Sequence, residues 1–331
     1  DGGLIGYTDA AGRADLRERL AGHVQQSYNV TIDPARVFVT TGSSAGFILT
    51  FLALFDPGDT VAIATPGYPA YRNILKALSL GIEEIETVAE DGWVLTPEKL
   101  RAAHARSPIA GLLVASPANP TGTMMAGKAL KELIGCCDEL GIRFISDEIY
   151  HGLTYPEETG IVETSALQFS DNAVIINSFS KYFCMTGWRV GWMVLPPGLV
   201  RPVERLSQSL YISAPELSQV AALHALDCRD ELETVRLGYL ANRKLLLDRL
   251  PALGFDQVLP IDGAFYAYAD ATRFTNDTME FAQRMLVESQ VAVTPGLDFD
   301  CDRGHRYLRF SFAGDHETMI KAMDRLQDWL A

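Results

Sequence analysis

Lys181 stands in the run Ser178-Phe179-Ser180-Lys181-Tyr182-Phe183, among aromatic and small side chains, with Arg189 eight positions on. Loss of water and a nearby cation both lower the pKa of an amine, which then attacks a carbonyl at neutral pH. Asp147 follows an apolar run, where a carboxylate is costly unless it finds a partner, and Tyr150 comes three residues later. Asn119 sits between Pro117 and Pro120, and Tyr68 lies in the turn Pro66-Gly67-Tyr68-Pro69. The run Thr41-Gly42-Ser43-Ser44-Ala45-Gly46 opens a helical pattern after an apolar stretch. Free backbone N–H groups and the helix dipole at such a start can hold a phosphate, with Ser43 and Ser44 adding hydroxyls. The run carries neither the Gly-Lys-Ser/Thr of a nucleotide-binding loop nor a G-x-G-x-x-G pattern. Taken singly, each of these residues has a plain structural explanation as a cap, an ion-pair partner, a turn residue or a packed ring.

The elements that must position them alternate. Short apolar runs at 37–40, 60–64, 109–115, 143–146, 173–176 and 190–195 read as buried strands, and helical patterns at 13–29, 45–55, 70–78, 128–140 and 199–210 accompany them. Strands rich in Val, Ile and Ala, covered by helices, predict an α/β fold with a mostly parallel sheet sandwiched by helices. In such sheets ligands bind beyond the carboxyl ends of the strands. Each polar cluster follows one of the runs, so one rim collects hydroxyls, an aromatic ring, an amide, a carboxylate, a phenol and an amine. Pyridoxal 5′-phosphate (PLP) asks for this set. It needs a lysine for its aldehyde, a carboxylate for its pyridine nitrogen, donors for its 3′-oxygen, a ring to stack on and an anion site for its phosphate.

The pattern changes after residue 216. A long helical stretch to 250 leads to strand-like 263–269, a helix at 278–289, strand-like 291–294 and 307–312, and a last helix at 316–330. This predicts a smaller α+β unit, with a large cofactor-binding domain over 1–225 and a small C-terminal domain over 226–331. The 331 residues are 48% hydrophobic and 21% charged, as in an ordinary globular protein, and the net charge of −14 argues against nucleic acid as the main partner. No apolar run approaches the length of a membrane span. The five cysteines, Cys136, Cys137, Cys184, Cys228 and Cys301, match no metal site and suit reduced thiols in the cytoplasm.

The motifs SPANPTG at 116–122, DEIY at 147–150 and SFSKYFCMTGWRVGW at 178–192 resemble those of fold-type I PLP-dependent aminotransferases of class I/II, the aspartate aminotransferase superfamily. The resemblance runs from Gly6-Tyr7 to the final helix. It implies that Lys181 holds the cofactor as a Schiff base and then moves a proton at the substrate Cα. It gives Asp147 the pyridinium nitrogen, Asn119 and Tyr150 the 3′-oxygen, and Tyr68 the stacking role. Ser43, Ser44, Ser178 and Arg189 would cradle the phosphate. Tyr7, in GYTDAAG, would reach the phosphate of a neighbouring subunit, which implies a homodimer with shared active sites. Arg309, in YLRFSFA, would grip the substrate α-carboxylate, a task suited to a bidentate fork. The family has several dozen residues before its equivalent of Tyr7 that this sequence does not carry. The sequence also departs at TPGLDFD, 294–300, where the family usually has a small residue at Leu297 and a glycine at Asp300.

Transamination between an amino acid and a 2-oxo acid, by ping-pong exchange, is the reaction expected. A carbon–sulfur β-lyase, or an eliminase resembling aminocyclopropane-carboxylate synthase, is the alternative on the same scaffold. The effector domain of a PLP-dependent regulator would need a DNA-binding segment, and these residues contain none. No arginine is marked for a second substrate carboxylate, so kynurenine, aromatic and branched substrates all stay open.

Overall fold

The computed structural model describes residues 5–331. Its first sheet contains seven strands: β1 (Val37–Thr40), β2 (Thr60–Thr65), β3 (Gly81–Glu86), β4 (Gly111–Ala115), β5 (Arg143–Asp147), β6 (Val174–Ser178) and β7 (Gly191–Val194), in the order β1-β7-β6-β5-β4-β2-β3. Pairings among β2, β3, β4, β5 and β6 are parallel; β7 alone runs against both of its neighbours, β6 and β1. All four residues of β1 and all five of β6 are buried, as expected for strands covered on both faces.

Helices α1 (Ala14–Tyr28), α2 (Ser43–Leu54), α3 (Pro69–Ala77), α4 (Pro97–Arg106) and α5 (Gly127–Leu140) are followed by the short α6 (Pro156–Thr159), α7 (Pro197–Leu210) and α8 (Glu216–Ala225). The pleat sends alternate strand residues to opposite faces. Val174 and Ile176 of β6 thus join Phe47, Phe51 and Leu75 of α2 and α3, while Ile175 joins Leu16 and Leu20 of α1 and Leu133 of α5. The sequence reading misses β3, α4 and the four-residue α6. Strand β3, GIEEIE, is an edge strand whose glutamates blunt its free side, so it carries no apolar run. Helix α4 is polar and buries only Leu100 and Ala103, although Thr96 caps it and Pro97 opens it.

The second sheet contains β8 (Tyr266–Asp270), β9 (Thr294–Pro295) and β10 (Tyr307–Ser311), antiparallel in the order β8-β10-β9. It packs with α9 (Arg229–Leu253), α10 (Thr278–Arg284) and α11 (His316–Leu330) around Leu246, Leu250, Phe255, Phe281, Leu308 and Phe312. The long helical pattern is broken at 226–228, between α8 and α9. Among the described residues no helix is long and apolar enough to cross a membrane.

Close backbone approach fixes one corner of the first sheet. A Cβ on Gly191 would lie 2.8 Å from the Asn177 carbonyl oxygen and 3.1 Å from the Ser43 nitrogen. Gly191→Ala should therefore cost about 1–3 kcal/mol of stability in chemical denaturation. Gly198→Ala, with nothing within 4 Å of its added carbon, should stay within about 0.5 kcal/mol of the parent. Equal stabilities for the two variants would contradict the packing argument.

Candidate active site

The directions of the strands bring five connections to one edge. The parallel strands β2, β4, β5 and β6 end there at Thr65, Ala115, Asp147 and Ser178. The antiparallel β7 starts there with Gly191, paired to Ser178 on one side and to Thr40 at the end of β1 on the other. Tyr68, Asn119, Tyr150, Lys181, Arg189 and Ser43 all lie just beyond these ends.

At the β1 corner Gly42 is the N-cap of α2, with no side chain to cap the helix, so Ser43 and Ser44 form its first turn. Gly42 has φ 79°, and a Cβ there would lie 2.6 Å from Nη2 of Arg189. The guanidinium therefore rests against a bare backbone at a helix N-terminus, and it donates to the Thr186 carbonyl at 2.9 Å. Uncapped amides, serine hydroxyls and an arginine together are a set of groups able to hold an anion. Ser178 is buried below it, its Oγ 2.9 Å from Ser180 Oγ.

Asp147 ends β5 and is buried. Its Oδ1 accepts from the Ile149 amide at 3.0 Å, and Oδ2 accepts a short hydrogen bond from the Tyr71 hydroxyl. Burial pushes this carboxyl up to about 6, against the pull of those two donors and of His151. Tyr71 escaped the sequence reading. It follows Tyr68 by three residues, one helical turn on, and the two rings meet edge to face with centroids 5.4 Å apart. That i, i+3 spacing was the available signal. Behind Asp147, His151 touches the Tyr28 hydroxyl (2.7 Å, Nδ1) and the Ser116 carbonyl (3.0 Å, Nε2), tying α1 to the loop that carries Asn119.

Lys181 Nζ lies 5.8 Å from the centroid of the Tyr150 ring and 5.6 Å from that of Phe265. Burial holds its pKa below the usual lysine range, Arg309 and Arg189 lower it further, and Asp147 acts the other way. The Tyr150 hydroxyl is 3.0 Å from that of Tyr266 on β8.

Arg309, on β10, is brought to the same place from the second sheet. Its Nη1 donates to Asn119 Oδ1 at 2.8 Å and its Nη2 to Thr294 Oγ1 at 3.1 Å. The guanidinium carbon lies 4.3 Å from the Tyr266 ring centroid and 4.7 Å from that of Phe299. Among the described residues no carboxylate pairs with it, and its buried Nε has no hydrogen-bond partner. Tyr266, Thr294 and Phe299 were also missed, since a sequence does not tell which side chains of a distant strand and loop will face an arginine.

Tyr7 is the one expected site residue not brought in. It is 83% exposed, beside a segment anchored by the Gly6 amide on Glu216. The rest of the donor set fits PLP: a buried carboxylate, a low-pKa amine, an exposed aromatic at Tyr68, and an anion cradle that a Cβ on Gly42 would fill.

Known proteins carry the same arrangement of chain. The family model for aminotransferase class I and II matches residues 1–326. The valine–pyruvate aminotransferase of Mycobacterium tuberculosis is 45% identical over 329 residues, covering 98% of this chain and 84% of its own. The aspartate/prephenate aminotransferase of Thermus thermophilus is 33% identical over 327 residues, covering 98% and 83%. The crystal structure of an aminotransferase from Mycobacterium tuberculosis superposes with a TM-score of 0.95 at 45% identity, over 99% of this chain and 84% of that one. These likenesses favour transamination over the lyase alternative, and the chain belongs to the class I and II aminotransferases.

Proposed function

We propose that this aminotransferase works with PLP held covalently by Lys181, and passes an amino group from an apolar, valine-like amino acid to pyruvate. The observation that carries the reading is the Lys181 amine itself, kept below its usual pKa between aromatic rings, with Asp147 on the cofactor side and Arg309 on the substrate side.

Bound PLP supplies an electron sink for the pair left behind when a bond to the substrate Cα breaks. The protein's own groups do the rest. Asp147 sits where a carboxylate, buried and costly as an ion, gains a pyridinium as countercharge. Tyr150 and Asn119 offer a hydroxyl and an amide to the 3′-oxygen, and Tyr68 a ring to stack on. The first turn of α2, with Ser43, Ser44, Ser178 and Arg189, receives the phosphate. Tyr7, standing free of its own site, suits delivery to the phosphate of a second copy, which makes the enzyme a homodimer with shared sites. Once released, Lys181 Nζ takes the proton from the substrate Cα and returns it on the cofactor side. Arg309 fixes the α-carboxylate, and the buried rings of Phe265, Tyr266 and Phe299 make the surroundings of that end of the site apolar. The substrate pair follows the name of the Mycobacterium tuberculosis relative. In this reading the chain divides near residue 225, and its five free cysteines suit the cytoplasm.

Turnover by the purified protein with pyruvate should be at least about tenfold faster from valine than from aspartate, a preference within reach of one apolar pocket. The reverse order would overturn the substrate assignment. Lys181→Ala should lose the visible absorbance of lysine-bound PLP, and activity with it; retention of both would remove Lys181 from the centre of the site. Arg309→Met should raise KM for both substrates about ten- to a hundredfold, as expected for a lost charge-assisted contact, with that absorbance unchanged. A lost absorbance band in this variant would count against the assigned role.

The Asp147 carboxyl titrates near 6 in the fold against an ordinary 3.8, so the native state holds its proton more tightly and loses stability as pH rises through that window. Cofactor-free Asp147→Asn should therefore melt a few degrees above the cofactor-free parent at pH 7.5, with the gap closing toward pH 4. A gap independent of pH would refute the cost of burying this charge.

A further inference from the structure

Asp300 stands where the family resemblance leads one to expect glycine, and it is buried with a defined task. Its Oδ1 accepts from the amides of Asp302 and Arg303, each at 2.9 Å, and its Oδ2 takes Nε and Nη2 of Arg303 at 3.0 and 2.9 Å. The carboxylate thus both closes the turn and aims the guanidinium. What remains of Arg303 crosses to the first sheet. Nη2 donates to the Thr65 carbonyl at 3.3 Å, and Nη1 donates to the Thr87 carbonyl at 3.3 Å and pairs with Glu86. Two further bonds make the same crossing. The Gly67 amide donates to the Phe299 carbonyl at 3.0 Å, and Nη2 of Arg72 donates to that of Asp298 at 2.7 Å.

The segment fastened in this way, 296–303, carries Phe299, whose buried ring lies 4.7 Å from the guanidinium carbon of Arg309. Its anchor, Thr65 to Gly67, leads directly into Tyr68. We infer that Arg303, held by Asp300, is a positioning residue for substrate binding: by bolting the Phe299 loop to the end of β2 it keeps Arg309 aligned to receive the substrate carboxylate. Neither residue touches the reacting atoms. The inference rests on the reading of Arg309 as the carboxylate-binding residue.

The test uses the PLP-loaded enzyme and two variants, Arg303→Met and Asp300→Gly, with Arg303→Lys as the conservative rescue and Arg309→Met as the control. In the two test variants, KM for amino donor and oxo acid should rise about tenfold with kcat within about twofold, because misplacing a binding group by a fraction of an ångström is enough. The dissociation constant of isovalerate, a carboxylate with no amino group to transfer, should rise in parallel. Amide exchange in 296–304 and at Gly67 should speed up, and Arg303→Lys should recover part of each effect. If faster exchange comes with unchanged KM and isovalerate binding, the contact is merely structural and the inference falls. A drop in kcat at unchanged KM would also overturn it. If Arg309→Met itself leaves isovalerate binding intact, it is the reading of Arg309 that fails; if only that control weakens it, the role of Arg303 fails alone. Should one test variant not fold, the other carries the same comparison.

Discussion

An amine that must meet a carbonyl at neutral pH cannot be left in water, where it stays protonated, nor closed in an ion pair, where its proton is held more tightly still. The surroundings of Lys181 meet both conditions. The rings of Tyr150 and Phe265 take the place of water around Nζ. The nearest acid, Asp147, is turned to other donors, the Tyr71 hydroxyl and the Ile149 amide. Arg309 and Arg189 both disfavour the ammonium form. Burial is the largest of these effects and the two arginines add to it, so the remaining geometry is organised around keeping this amine unpaired.

The sheet supplies that geometry at low cost. Four parallel strands and the reversed β7 bring their polar ends to one edge, while their apolar lengths are buried between helices. The reversal of β7 matters locally. It delivers Arg189 to the start of α2, and Gly191 leaves room for the Gly42–Ser43 backbone to lie directly against the strand. An anion site made from a helix terminus needs such closeness, because the field of the dipole fades within a turn.

Much of this was legible in the sequence for a physical reason. Strands covered on both faces need continuous apolar runs, and a rim that binds a charged ligand needs polar residues immediately after them. The runs at 37–40, 143–146 and 173–176 therefore announced both the strands and the polar rim that follows them. Boundaries were less exact: Asp147 and Ser178 prove to be the last residues of their strands, not residues beyond them. Strand β3 and helix α4 stayed hidden because an edge strand and a surface helix owe little to burial. Tyr71, Tyr266 and Phe299 were hidden differently. Their residue types are ordinary core types, and only the folded chain turns a ring toward Asp147, Tyr150 or Arg309.

Charge completes the account. A protein of net charge −14 has many carboxylates with which an arginine could pair. Arg309 is kept from them by two aromatic faces, which attract a cation without neutralising it, and by Asn119 and Thr294, which accept its hydrogen bonds without bearing charge. Among the described residues this guanidinium meets no full countercharge, which leaves it available to a carboxylate from outside. Such an arrangement holds only while both rings stay in place. Tyr266 is fixed in β8, but Phe299 belongs to a loop, and a loop keeps its position through the bonds that tie it down. In the proposed reading, the hold of Arg309 on a substrate carboxylate therefore depends on contacts made well away from the substrate.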